Sequence, residues 1–138
     1  VACGAGRHAL HLAQLGWRVT AVDRSPVAIE ALRRRAAGLA VDALVADLED
    51  GYAIEREAFD LVCDFFYLQR DLFPALRDAL KPGGVFVAAV KLATGEPRRF
   101  EVVSGELRDE FAGWKVLYYS EAAEPGHRPA ARIIARKA

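Results

Sequence analysis

The sequence predicts an α/β fold: a doubly wound, mostly parallel sheet closed by a C-terminal antiparallel hairpin. Three observations carry this. Short apolar runs alternate with helical patterns through the first two thirds of the chain, as in successive βα units. Leu61 to Phe66 and Val85 to Val90 read as continuous apolar runs, the mark of strands buried on both faces. After Trp114, two strand candidates follow one another with no helix between them, so they should pair antiparallel.

The elements follow in order. Val1-Ala2-Cys3-Gly4-Ala5-Gly6-Arg7-His8 is a glycine-rich turn running into a short helix that contains Leu10 and Ala13. Gly16 suits the residue just past a helix C-terminus. Trp17 to Val22 reads as a strand. Ser25-Pro26 opens the next helix, with the serine hydroxyl free to cap backbone N–H groups and proline tolerated at the first helical position. Ile29, Leu32 and Ala36 line its inner side, and Arg33, Arg34 and Arg35 read as a solvated outer face. Ala43 to Ala46 is a short strand ending at Asp47, and the dozen residues up to Asp60 predict a short or irregular crossover. The strand Leu61 to Phe66 follows, and Phe73, Leu76 and Leu80 give the next helix its core stripe. Lys81-Pro82-Gly83-Gly84 breaks that helix before the strand Val85 to Val90. Gly95 to Arg99 is a polar loop, and a short helix with Leu107 and Phe111 precedes the strand Trp114 to Tyr119. Pro125-Gly126 turns the chain into a final strand, Ala131 to Arg136.

Composition bounds the rest. A chain of 138 residues with 53% hydrophobic content can bury a core as one domain without disulfides or metals. Lysine plus arginine balances aspartate plus glutamate at 19 each, which argues against a nucleic-acid-coating surface. No stretch is long and apolar enough to cross a bilayer, and Cys3 and Cys63 read as two buried thiols, consistent with a cytoplasmic setting. Only Val1 and Ala2 precede the glycine turn, whereas a strand spans about five residues. The expectation is a single domain, 1–138, that lacks most of its first strand and anything upstream.

The glycine turn and Asp23 together describe a nucleotide-type cofactor site. Gly4 and Gly6 let the backbone turn tightly and lie against a ligand that a side chain would push away. Asp23, at the end of the next strand, can accept two hydrogen bonds from a ribose diol. Arg7 and His8 sit at a helix N-terminus, where arginine could reinforce backbone N–H groups facing a carboxylate or extend into solvent.

These residues resemble the class I S-adenosylmethionine-dependent methyltransferases, whose sheet is Rossmann-like. That family opens on an acid followed by Gly-x-Gly-x-Gly, and Ala2-Cys3-Gly4-Ala5-Gly6 matches with Ala2 in place of the first glycine. The resemblance assigns Asp23, with Arg24 beside it, to the ribose and Asp47-Leu48 to the adenine. It places Asp64-Phe65-Phe66-Tyr67 beside the transferable methyl group and Leu80-Lys81-Pro82-Gly83-Gly84 at the turn before the fifth strand. It implies S-adenosyl-L-methionine as cofactor and S-adenosyl-L-homocysteine as product. Cys3 to His8, Gly105-Glu106-Leu107 and the terminal hairpin are similar to the small bacterial tellurite-resistance and thiopurine-type methyltransferases. The segment from Asp64 lacks the Asn-Pro-Pro-Tyr or Asp-Pro-Pro-Tyr pattern of amino-group methylation, which argues against DNA as acceptor.

The sulfonium already activates its methyl group, so such an enzyme holds a nucleophile in line and excludes water. Sulfur, selenium or tellurium nucleophiles need no base. A hydroxyl or protonated amine does, and Tyr67, Asp64 and His127 are candidates by position; Tyr67 could equally wall the pocket and His127 lie exposed in the hairpin loop. Lys91, at a strand end, could bind an anionic small-molecule substrate or reach into water. Two other readings stay open. Gly4-Ala5-Gly6-Arg7-His8-Ala9 also satisfies the Gly-x-Gly-x-x-Ala pattern of NAD(P)-binding oxidoreductase domains, and a methyltransferase-like partner subunit without activity would share the fold. The methyl acceptor and the oligomeric state are not encoded in any motif.

Overall fold

The computed structural model describes all residues, 1–138, and divides into two compact units, Val1–Ala53 and Ile54–Ala138.

In the first unit, helix α1 (Arg7–Gln14) follows the glycine turn directly and is succeeded by strand β1 (Val19–Asp23), helix α2 (Pro26–Arg35) and strand β2 (Val41–Val45). The two strands pair in parallel, Val19 opposite Val41 through Asp23 opposite Val45. Gly16 closes α1 at φ 95°, and the Trp17 N–H returns to the Leu12 carbonyl. Trp17, read from sequence as the start of a strand, is therefore part of the helix cap, and β1 begins two residues later. Ser25 caps α2, its Oγ accepting the Ala28 N–H at 3.2 Å, with Pro26 in the first turn. Ile29 and Leu32 are fully buried and pack with Leu10, Ala21 and Ala43 into the core of this unit. The arginines of α2 do more than face solvent. Arg33 donates to the Ala43 carbonyl from both Nε and Nη2, and Arg35 reaches the Ala5 carbonyl in the glycine turn. The crossover after β2 contains turns and no helix, as its length predicted.

The second unit begins with strand β3 (Phe59–Phe65), a 3-10 turn over Arg70–Leu72 and helix α3 (Phe73–Ala79). Strand β4 (Leu80–Lys91), the single-turn helix α4 (Glu106–Asp109) and strands β5 (Lys115–Ala122) and β6 (Ala130–Arg136) complete it. The sheet order is β3-β4-β6-β5, with β3 and β4 parallel and β6 antiparallel to both its neighbours. This is the α/β architecture with the terminal hairpin that the alternation of elements predicted. Two expectations change in detail. Leu80 opens β4 instead of closing a helix, and between Phe59 and Leu61 on β3 the partner on β4 jumps from Leu80 to Val85, so the Pro82-Gly83-Gly84 turn bulges out of a strand that continues through it. The β3 run is not buried on both faces: Val62 and Asp64 are buried on one face, while Leu61, Cys63 and Phe65 on the other are only half-buried.

The core of the second unit is aromatic. Phe86 of β4 lies 4.6 Å from Phe111, which meets Phe73 of α3 edge-on at 6.2 Å, and all three are essentially inaccessible. Lys137 ties the end of β6 to α3. Its Nζ donates to the Arg77 and Leu80 carbonyls at 2.8 Å each, where a cation also complements the helix C-terminus. Glu121 of β5 accepts from Ser104 Oγ, the Gly105 N–H and the Tyr119 hydroxyl, which fixes the start of α4 to the hairpin. Those three donors hold its carboxyl below the usual range, led by the Gly105 amide. No helix is long and apolar enough to cross a membrane.

Candidate functional site

The glycine turn of the first unit is held on one side by β1, where the Cys3 N–H donates to the Val22 carbonyl at 2.9 Å. Ala2, Gly4 and Gly6 have φ of 46°, 55° and 81°, so three of the first six residues occupy the left-handed region. The conformation that normally calls for glycine is thus kept at Ala2, where the family pattern has glycine. The two glycines differ in what surrounds them. A Cβ on Gly6 would sit 2.3 Å from Leu32 Cδ1, so Gly6 is required by packing of the turn against α2. A Cβ on Gly4 would meet nothing within 4 Å. Its bare backbone borders open space, the property needed where a ligand lies against the chain.

Asp23 is built into this turn. Its Oδ2 accepts the Gly4 N–H at 2.8 Å and its Oδ1 accepts the Ser25 N–H at 2.9 Å, so one carboxylate joins the turn, the end of β1 and the cap of α2. Each oxygen keeps a lone pair for a ligand hydroxyl. The Ala46 N–H donates to the Asp23 carbonyl at 3.0 Å, which sets the carboxyl ends of β1 and β2 side by side. Asp47 follows directly. It is exposed, with Oδ1 accepting the Glu49 N–H in a local turn and Oδ2 unengaged, while Leu48 is buried and Arg24 exposed. Of the nine residues expected to hold a cofactor, Ala2, Cys3, Gly4, Gly6, Asp23, Arg24, Asp47 and Leu48 belong to this unit and lie along the turn and the two strand ends, while the ninth, Asp64, belongs to the second unit. Arg7 is exposed and its Nη2 lies 3.5 Å from His8 Nε2. Burial, with Arg7 second, holds the His8 pKa below its ordinary value. The Cys3 thiol is pushed up by burial and by Asp23.

In the second unit, Asp64 is the buried charged residue, 2% exposed. Its carboxylate accepts the Tyr67 N–H, but Oδ1 has no partner, and burial raises its pKa to about 7. Phe66 has φ 59° and is 55% exposed, and its N–H donates to the Ala89 carbonyl at 2.7 Å. The Tyr67 hydroxyl donates to Gln69 Oε1 at 2.6 Å, so that phenol is engaged in the protein. Lys91 stands exposed at the carboxyl end of β4. His127 is exposed in the β5–β6 connection, its N–H bonded to the Glu124 carbonyl. A groove of about 650 Å³ runs along Arg77, Glu106, Glu110 and Trp114. It is crossed by the Arg77–Glu110 ion pair at 2.7 Å and does not include the strand ends.

Sequence reasoning missed the Oδ1 of Asp64, the backbone state of Phe66 and the arginines of α2. A carboxylate inside an apolar run was the available signal for the first. The other two depend on tertiary packing and have no local signature.

A methyltransferase-domain family profile matches residues 1–84. The chain belongs to this methyltransferase family. It is similar to the ubiquinone biosynthesis O-methyltransferase of Methylocella silvestris, 38% identical over 119 residues, which cover 81% of this chain and 45% of that protein. It is also 32% identical over 133 residues to hemagglutinin 1 of Eikenella corrodens, covering 87% of this chain and 44% of that one. The crystal structure of TehB from Haemophilus influenzae superposes with a TM-score of 0.85 at 22% identity, over 99% of this chain and 55% of that one, a likeness of fold. The chain thus spans about half the length of the relatives it matches. The family's cofactor is S-adenosyl-L-methionine, and the open Gly4 backbone and the two free Asp23 lone pairs fit such a nucleoside ligand.

Proposed function

We propose that this chain is one methyltransferase domain that transfers the methyl group of S-adenosyl-L-methionine to a small molecule. The observation that carries the reading is the bond from Gly4 N–H to Asp23. It makes the ribose-type acid part of the turn that would receive the methionine portion, so both halves of a nucleoside amino acid are addressed by one rigid element. The family match runs across the division between the two units, which supports treating them as one domain.

Bound S-adenosyl-L-methionine supplies a methyl group already activated by its sulfonium. Gly4 and Gly6 would lie along the methionine portion, Asp23 would accept from the ribose hydroxyls and Asp47 from the adenine amine. Arg35 holds the turn by its bond to the Ala5 carbonyl. In the second unit the strand ends carry the groups for an acceptor. Asp64, whose pKa burial raises to about 7, is part ionised near neutral pH, and in its carboxylate form it can take a proton at the unpartnered Oδ1 when the acceptor has one to lose. We infer an acceptor with a soft or readily deprotonated nucleophile, because the segment from Asp64 departs from the amino-methylation pattern and Asp64 is placed to take a proton. Nucleic acid is a poor acceptor for a chain with zero net charge.

The test is calorimetry of the full-length protein with S-adenosylhomocysteine and with NADH, followed by a methyl-transfer screen over thiols, selenite, tellurite, phenols, RNA and protein extracts. Binding of S-adenosylhomocysteine with transfer to small molecules is expected. Tight NADH binding without S-adenosylhomocysteine binding refutes the cofactor assignment; transfer to RNA or protein alone refutes the acceptor class.

A further inference from the structure

Phe66 is an anomaly that the fold does not explain. A bulky side chain is disfavoured in the left-handed region, where glycine or asparagine is at ease. Burial of the side chain could compensate for that strain, yet this residue is more than half exposed. The backbone around it is firmly set: the Phe66 N–H is held by Ala89 on β4, and the Tyr67 N–H by the Asp64 carboxylate. The strand end therefore presents an aromatic side chain to solvent from a hydrogen-bonded backbone, at a cost to stability. Such outliers persist where a ligand uses them, and in open α/β sheets ligands bind beyond the carboxyl ends of the strands.

The surroundings define the ligand's charge. Lys91 lies two residues beyond Ala89, at the carboxyl end of the adjacent parallel strand, and makes no ion pair. The chain then leaves and returns through the Leu92–Val102 bridge, so Arg98, Arg99 and Phe100 form the tip of a loop rooted at that strand end. The Arg99 guanidinium lies 5.1 Å over the Phe100 ring. The Leu92 N–H bonds the Pro129 carbonyl, which brings Arg128 to the same end of the sheet. Of the acids there, Glu101 accepts the Arg98 N–H and Glu124 pairs with Arg132 at 3.3 Å. Glu96, Glu101 and the buried Asp64 thus stand against the exposed Lys91, Arg98, Arg99 and Arg128, so cations outnumber carboxylates at this end by one, and Lys91 has no carboxylate partner.

We propose that Phe66 and Lys91 are the acceptor-recognition residues of this methyltransferase, and that the acceptor is a planar aromatic molecule carrying a negative charge. The ring supplies a stacking surface and the lysine a counter-charge. This rests on the methyltransferase reading and narrows it, since it sets aside inorganic oxyanions such as tellurite and aliphatic thiols.

Full-length protein saturated with S-adenosylhomocysteine is titrated calorimetrically with 6-hydroxy-2-naphthoate, with its uncharged amide and with saturated 4-hydroxycyclohexanecarboxylate. The naphthoate should bind at least tenfold more tightly than either analogue. Phe66→Gly should lose tenfold or more in naphthoate affinity, keep its affinity for S-adenosylhomocysteine and melt no lower than the parent, because glycine accepts φ 59° without strain. Phe66→Tyr should retain binding. Lys91→Gln should weaken the naphthoate and leave the amide unchanged. Undiminished naphthoate binding by Phe66→Gly, or a melting temperature several degrees lower, overturns the proposal. So does a saturated acid that binds as well as the naphthoate. A parent protein that binds S-adenosylhomocysteine but not the naphthoate refutes this inference alone, whereas one that fails to bind S-adenosylhomocysteine refutes the underlying methyltransferase reading.

Discussion

Replacing Asp23 separates its structural role from its cofactor role. The carboxylate accepts two backbone N–H groups, from Gly4 at 2.8 Å and from Ser25 at 2.9 Å. Asp23→Ala removes both. A hydrogen bond to a charged group contributes about 1.5–3 kcal/mol, and the half-buried site lets water recover part of the loss, so the stability cost should be about 2–4 kcal/mol. Loss of the ribose contact should weaken S-adenosylhomocysteine binding by a further 1–3 kcal/mol or so, roughly 5- to 150-fold. Asp23→Asn keeps one acceptor oxygen and turns an amide donor toward the other N–H, so it should lie between the parent and Asp23→Ala in stability. Urea denaturation gives the first quantity, and calorimetry corrected for the folded fraction gives the second. Unchanged stability in Asp23→Ala would refute the anchoring role. A destabilised variant with parental affinity per folded molecule would remove Asp23 from the cofactor site.

The two glycines should fail in different ways. Gly6→Ala combines left-handed strain of about 1–2 kcal/mol with a clash against Leu32 of about 1–3 kcal/mol, and denaturation should show a loss of about 2–5 kcal/mol. Gly4→Ala meets only open space, so it should show the strain alone, yet lose S-adenosylhomocysteine affinity because its methyl group occupies the ligand's place. Asp47→Asn keeps the local bond to the Glu49 N–H, so its stability should stay within about 0.5 kcal/mol of the parent; calorimetry should show it discriminating less between S-adenosylhomocysteine and the inosine analogue that lacks the adenine amine. Asp64 holds its proton to about pH 7 in the folded state and only to about 3.8 when unfolded, so parental stability should fall as pH rises between those values, by at most about 1.4 kcal/mol per unit, and level off above pH 7. Asp64→Asn should lack that slope and gain on the parent across the window; equal slopes in urea titrations at pH 5 and pH 7 would refute the assignment.

The parts of this molecule that were legible in the sequence are those written in local chemistry. Ser25-Pro26 announced a helix start and Gly16 a helix end, since capping and left-handed turns depend on a few adjacent residues. The aromatic run Trp114 to Tyr119, the Pro125-Gly126 turn and the strand Ala131 to Arg136, with no helix between them, sufficed for the hairpin. The cofactor residues were readable because glycine freedom and a strand-end acid are properties of residue type. What stayed hidden depends on residues far apart in sequence. Nothing beside Gly6 says that Leu32 will press on it, and nothing beside Phe66 says that Ala89 will fix its backbone. Asp64 was read as part of an apolar strand because alternation hides one polar residue among many apolar ones, and whether its second oxygen finds a donor is a question of packing. Trp17 was misplaced for the opposite reason: its strand-like side chain outweighed a cap bond that the sequence does not display.

The strand order β3-β4-β6-β5 has a consequence for how the chain is made. The strand between β4 and β5 is the last in sequence, so β5 and the second edge of β4 find their neighbour only after Ala130–Arg136 has left the ribosome. The β1–β2 pair has no such dependence, since both of its strands precede residue 53. During synthesis the edges at β4 and β5 stand open until β6 arrives, and that interval is when aggregation and chaperone capture compete with closure.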